Sequence, residues 1–215
     1  MTIQGVLFDL DGVLIRSEEL ALQAWNEFLA ESGRSLSQEQ YTNMIGEADT
    51  AGFILTYFKI DMTNAEVKQD HRKRVMRLLE TDLEPMPGAF EILDDLKARG
   101  FPLAVASNSL QAYVEKALAV SNLRPYFKAV VARDRVPNPK PAPDVYQHAA
   151  QQIGLASADC LAVEDSPIGM QAALAAKTRC VVVPHESLRE RDFSGAYARY
   201  DSLHDVQGDL GSLLR

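Results

Sequence analysis

From residue 88 onward the chain alternates short apolar runs with amphipathic segments, a rhythm that few folds accommodate. The spacing predicts helices over 88–99, 110–120, 143–153 and 167–176, and strands over 102–107, 128–132, 160–164 and 180–183. Strands that are apolar throughout must be covered on both faces. A helix between each pair gives the long crossover that parallel pairing requires. The expected fold class is therefore α/β, a doubly wound parallel sheet. Ligands of such sheets bind beyond the carboxyl ends of the strands, so the polar residues that close each apolar run are where function is sought.

A further run, Gly5-Val6-Leu7-Phe8, ends in Asp9-Leu10-Asp11-Gly12. Side chains two apart on a strand share a face, so Asp9 and Asp11 are expected to project together. Two like charges that close call for a cation or a shared proton. A plain polar strand-to-loop junction is the alternative, since Asp and Gly are ordinary turn residues. Ser17 then suits an N-cap and Glu18-Glu19 a first helical turn, while Leu20, Ala24, Trp25 and Phe28 fall on one stripe ended by Gly33. From there to Leu83 the pattern stays helical, with breaks near Gly46 and at Asp61-Met62-Thr63-Asn64, before Pro85 and Pro87-Gly88 punctuate it. The expected organisation is a helical insertion, 16–83, in an α/β core of 1–15 and 84–215.

With 215 residues, 47% of them hydrophobic, the chain can bury a full core beside such an insertion. The first fifteen residues are interrupted by two Asp and have no basic start, so neither a signal peptide nor a membrane span is expected, and the cytoplasm is the default compartment. A net charge of -8 disfavours nonspecific nucleic-acid binding. It does not exclude an anionic substrate, because a few local cations can dominate a cleft. Cys160 and Cys180, the only cysteines, lie in apolar runs, and the four His are scattered, which argues against a disulfide framework or a zinc site. A monomer is expected.

The strand ends carry Asp9 and Asp11 after the first strand, Ser107-Asn108 after the second, Lys140 beyond the third and Glu164-Asp165-Ser166 after the fourth. Taken singly, each has a bland explanation: a helix cap for Ser107 or Asn108, a solvated loop for Lys140 and for Glu164-Asp165. Taken together they form one rim of carboxylates with a lysine and a hydroxyl. Such an oxygen-rich set suits Mg²⁺ better than a soft metal, and an acid, a metal, a lysine and a hydroxyl suit phosphoryl transfer. Asp9, rigid at the strand end, is the better nucleophile; Asp11, at the turn, is better placed to shuttle a proton.

Asp-Leu-Asp-Gly-Val-Leu at 9–14, Ala-Ser-Asn-Ser at 106–109, Lys-Pro-Ala-Pro-Asp at 140–144 and Val-Glu-Asp-Ser-Pro-x-Gly at 163–169 resemble, in order and spacing, the four motifs of the haloacid dehalogenase superfamily. The likeness is to its branch of phosphatases and β-phosphoglucomutase-like proteins with a helical cap. It implies a Rossmann-like core in which the first and fourth strands are neighbours, with Asp9 forming an aspartyl-phosphate and Asp11 acting as general acid and base. It implies too that Ser107 and Lys140 hold the phosphoryl group, assisted by the backbone around Asn108. Mg²⁺ would lie on the Asp9 carboxylate, the Asp11 carbonyl and Asp165, with Glu164 nearby, directly or through water. The expected partner is a small phosphorylated metabolite, foremost a sugar phosphate.

Some positions depart from that branch. Ala21 replaces a histidine carried by its mutases, and Asp49 replaces a phosphate-gripping arginine, so hydrolysis is favoured over phosphomutase activity. Arg16 stands where an acid is common, and Ala176-Lys177 where Ala-Gly is usual. A dehalogenase is disfavoured because such members typically lack an acid at the position of Asp11. A noncatalytic binder would have no reason to keep the four motifs. In the cap, which the resemblance makes the seat of specificity, Trp25, the segment around Gly46 and the basic residues Arg72-Lys73-Arg74 and Arg77 are candidates, although core packing for Trp25 and a solvated face for the basic run explain them as well.

Overall fold

The computed structural model describes residues 2–44 and 49–215, so the Gly46 segment lies outside the described residues. In chain order the elements are β1 (Gly5–Phe8), α1 (Ser17–Ala30), α2 (Gln38–Thr42), α3 (Thr50–Phe58), α4 (Asn64–Asp82), α5 (Ala89–Ala98) and β2 (Leu103–Ala106). There follow α6 (Gln111–Val120), β3 (Ala129–Val131), α7 (Asp144–Ile153), β4 (Cys160–Glu164), α8 (Pro167–Ala175), β5 (Arg179–Val182), β6 (Ala198–Arg199), α9 (Leu203–Gly208) and α10 (Leu210–Leu213). Two compact units result, one of Met1–Arg16 with Glu84–Arg215 and one of Ser17–Leu83.

The first unit is built on a six-stranded sheet in the order β3-β2-β1-β4-β5-β6, every pairing parallel. This is the α/β class that the alternation of apolar runs requires. The strands are short and almost wholly buried because helices flank them, and Leu7, Phe8, Val105, Leu161, Val163 and Val181 lose essentially all exposure. Register positions the site. Phe8 pairs with Val105 on one side and Val163 on the other, so β1 ends one residue short of β2 and β4 and Asp9 emerges beside Glu164. The Asp9 amide still donates to Val163 O at 3.0 Å. Each expected strand is present, its ends within one residue of those expected. β6 and the two C-terminal helices have no counterpart in the sequence reading: a two-residue edge strand offers no periodicity to detect.

Arg16, assigned to the cap by the sequence reading, falls in the first unit. Its amide donates to Glu84 O at 2.9 Å, Met86 N donates to Leu14 O at 2.9 Å, and an antiparallel bridge joins Ile15 to Pro85. The Arg16 guanidinium faces Glu84 at 3.7 Å, an exposed pair. Lys177 has φ 66°, the left-handed conformation that ends α8, with its amide bonded to Leu174 O. That explains why glycine is usual there: a side chain in this region is strained.

In the second unit Trp25, Phe28, Leu29, Leu36, Tyr41, Ile54 and Val67 form a separate core. Trp25 is buried there and stacks on His71, centroids 3.9 Å apart at 20°, so its packing role is the one realised. Ser17 opens α1 as its first residue. Capping boxes start α2, from Ser37 and Gln40, and α4, from Thr63 and Glu66. Of the basic run, Arg74 pairs with Glu31 and Asp70, and Arg77 with Glu27, along solvated helix faces. Asp49 pairs with Lys68 at 2.8 Å, and the His71 ring lies 3.1 Å from the Ala21 carbonyl.

Candidate active site

Beyond the ends of β1 and β4, Lys140 sits between two acids. Its Nζ is 2.6 Å from Asp9 Oδ1 and 2.6 Å from Glu164 Oε1. All three residues are buried, as is Asp165, so neither Lys140 nor Glu164-Asp165 is the solvated loop that each suggests in isolation. The loop bearing Lys140 is tied down from the second strand, since its amide donates to Asn108 Oδ1 at 3.0 Å. Ser107 is fully buried, and its hydroxyl accepts from Ser109 N at 3.0 Å. Neither Ser107 nor Asn108 caps α6, whose N-cap is Leu110.

Glu164 is hydrogen-bonded on both oxygens. Oε1 accepts from Lys140 and from the Tyr146 hydroxyl at 2.5 Å, while Oε2 accepts from Asp165 N at 3.2 Å and Ser166 Oγ at 3.3 Å. Tyr146, on α7, also places its ring 4.9 Å below the Lys140 ammonium. Two glycines make room for these acids. A Cβ at Gly169 would stand 2.0 Å from both Glu164 oxygens, and one at Gly12, where φ is +76°, would stand 2.3 Å from Asp165 Oδ2.

Asp11 lies past the end of the regular strand: β1 stops at Phe8 and the chain turns, Leu14 N donating to Leu10 O at 2.9 Å. Its carboxylate and that of Asp9 take different hydrogen-bond partners. Asp11 Oδ2 accepts from Ser109 Oγ at 2.7 Å and Oδ1 from the Tyr113 hydroxyl at 2.8 Å. Asp11 still adds repulsion to the charge on Asp9.

Electrostatics single out Asp9. Burial pushes its carboxyl up to about 7, with repulsion from Glu164 and Asp11 adding to the rise and the Lys140 charge opposing it. Lys140 is held above its ordinary value: burial works against the ammonium, and Asp9 with Glu164 outweighs it. Ligand oxygens of Asp9, Glu164 and Asp165 lie within 4.8 Å of one another, and Lys140 pairs with the first two, so the buried set carries three carboxylates to one ammonium, a formal excess of two negative charges. An all-oxygen donor set with that deficit fits a hard divalent cation. Together these groups can attack an electrophilic phosphorus, bind its oxygens and move a proton.

The sequence reading assigned no role to Tyr146, Tyr113, Ser109 or Gly169. Ser109 and Gly169 stood inside the quoted motifs. A tyrosine among Val145, Ala149 and Ala150 on the buried face of α7 was a usable signal, since a buried hydroxyl needs a partner.

The sequence profile of the haloacid dehalogenase-like hydrolases matches residues 6–183. Among curated proteins, Protein CbbY of Rhodobacter capsulatus is 34% identical, covering 94% of this chain and 95% of its own length. The fructose-1-phosphate phosphatase YqaB of Escherichia coli is 32% identical, covering 80% of this chain and 92% of its own. Among solved structures, CbbY of Rhodobacter sphaeroides in complex with phosphate superposes with a TM-score of 0.80 at 28% identity, over 95% of this chain and 96% of that one. A point mutant of the same protein in complex with xylulose-(1,5)-bisphosphate gives 0.79 at 29%, over 94% and 95%.

Proposed function

The chain belongs to the haloacid dehalogenase-like hydrolases, and on that premise we propose that it is a phosphatase that hydrolyses a small sugar phosphate through an aspartyl-phosphate on Asp9. The observation that carries the reading is the Asp9–Lys140–Glu164 cluster, a nucleophile and a cation held 2.6 Å apart in a buried, acid-rich strand end. Relatives named for a fructose phosphate, or crystallised with a pentulose bisphosphate, support the sugar-phosphate class.

In the first half-reaction an Asp9 oxygen forms a bond to phosphorus as the bond to the sugar oxygen breaks, and Asp11 delivers a proton to that oxygen. Lys140, with the Ser107 hydroxyl and the backbone around Asn108, neutralises and orients the phosphoryl oxygens. In the second half-reaction Asp11 takes a proton from water, whose oxygen attacks phosphorus and restores the Asp9 carboxylate. A divalent cation, Mg²⁺ by its donor set, would be held by Asp9, the Asp11 carbonyl and Asp165 with Glu164 nearby, and would supply charge neutralisation to the phosphoryl oxygens. Glu164, bonded to Lys140 and Tyr146, contributes by fixing the lysine.

A phosphomutase reading is weaker. Asp49 is engaged by Lys68 and cannot grip a phosphate as a cation would, and Ala21 offers no imidazole. Screening hexose and pentose monophosphates and bisphosphates with Mg²⁺ tests the choice. Release of inorganic phosphate, abolished by EDTA, is expected; conversion of a sugar phosphate to its positional isomer without phosphate release would overturn it.

A further inference from the structure

Asp11 leaves the regular strand behind, so nothing in β1 itself fixes which way its carboxylate faces. Two hydroxyls do so. Tyr113 donates to Oδ1 at 2.8 Å and Ser109 to Oδ2 at 2.7 Å, one donor on each oxygen, which sets both the position and the plane of the group. Both donors are themselves held. Tyr113 lies in the first turn of α6, a helix anchored by the buried Val114, Ala117 and Leu118. Ser109 is fixed at its amide by Ser107 Oγ and at its carbonyl by Arg133 N, 3.1 Å away. A tyrosine ring with two side-chain torsions delivers its hydroxyl to a defined point at low entropic cost.

We propose that Tyr113, seconded by Ser109, is the positioning residue that orients Asp11 for proton transfer to the departing sugar oxygen. The proposal rests on the reading of Asp11 as the general acid. Proton transfer depends on the direction of the carboxyl as much as on its presence, so loss of one of two orienting bonds weakens the acid without removing it. The defect must therefore follow the need for a proton. An alkyl alcohol leaves poorly without one, whereas p-nitrophenolate leaves as the anion.

Tyr113→Phe keeps the ring and removes only the donor. The comparison is of kcat/KM, which reports events through the first phosphoryl transfer, for a sugar phosphate and for p-nitrophenyl phosphate. The expected result is a fall of about tenfold for the sugar phosphate and less than about threefold for the aryl ester. Ser109→Ala should produce the same split, and Asp11→Asn a larger one. Equal losses on both substrates, no loss, or a gain on the sugar phosphate would each overturn the proposal. Failure of the underlying reading shows separately, because an Asp9→Asn enzyme that still hydrolyses the aryl ester would remove the mechanism whatever Tyr113 does.

Discussion

Ion pairs at the strand ends and ion pairs on the helices of the second unit are made of the same residue types, yet they are physically different objects. The Lys140, Asp9 and Glu164 side chains are 3%, 10% and 0% exposed, while those of Arg77 and Glu27 are 57% and 30% exposed. In water such a pair gains little beyond the entropy it costs. In a buried space the same charges are expensive to desolvate, and each becomes dependent on the other. A fold keeps an arrangement of the second kind when its charges have a task, which in the proposed function is attack on and neutralisation of a phosphoryl group.

The contrast is most easily broken at Lys140. Lys140→Ala strands Asp9 and Glu164 as buried acids, so denaturant unfolding should show a loss of about 3–5 kcal/mol, together with a fall of at least about a thousandfold in turnover. A variant of near-normal stability and activity would place the strand-end pairs in the same class as the surface ones.

Asp9→Asn should act in the opposite sense on stability. The Asp9 carboxyl lies near 3.8 when unfolded and is raised to about 7 by burial. An acid raised in this way binds more protons folded than unfolded between those values, so the metal-free protein loses stability as pH rises from about 4 to about 7. The asparagine variant lacks that slope. It should match the native protein near pH 4 and exceed it at pH 8 by about 4 kcal/mol at most, while lacking turnover; Mg²⁺ should narrow the gap by stabilising the native protein alone. Thermal melts across that range, with and without EDTA, measure it.

Two smaller effects complete the series. Lys177→Gly relieves a side chain at φ 66° and should stabilise by about 1 kcal/mol, readable as a rise in Tm. Arg77→Ala, at an exposed pair, should cost less than about 1 kcal/mol by the same measurement. A loss there as large as that of Lys140→Ala would erase the distinction between the two kinds of pair.

What the sequence made legible follows the range of each physical signal. Local patterning acts over a few residues, and it located β1 to β5 as apolar runs and the helices between them as amphipathic segments. β6, two residues long, repeats nothing. The strand-end acids were visible because charge at the close of an apolar run is costly, and the parallel register then brought Asp9, Lys140 and Glu164 together. The partners of Asp11 were not legible because β1 ends at Phe8 and the hydroxyls that bond its carboxylate lie about a hundred residues along the chain. Tyr146 and Tyr113 went unread because a hydroxyl takes its role from a partner far away in the chain, 18 residues for Glu164 and 102 for Asp11. Lys177 showed as a departure, and its meaning appeared only with its backbone angle.

The central claim is that phosphorus passes through a covalent bond to Asp9, and an acid quench tests it most directly. The enzyme is mixed with a phosphate-radiolabelled sugar phosphate and Mg²⁺, stopped within one turnover, digested and mapped. The expected result is label on the peptide carrying Asp9, discharged by hydroxylamine as an acyl phosphate is, and absent from Asp9→Asn. Phosphate release by the native enzyme with no labelled peptide at any quench time, or label that persists in Asp9→Asn, would contradict it.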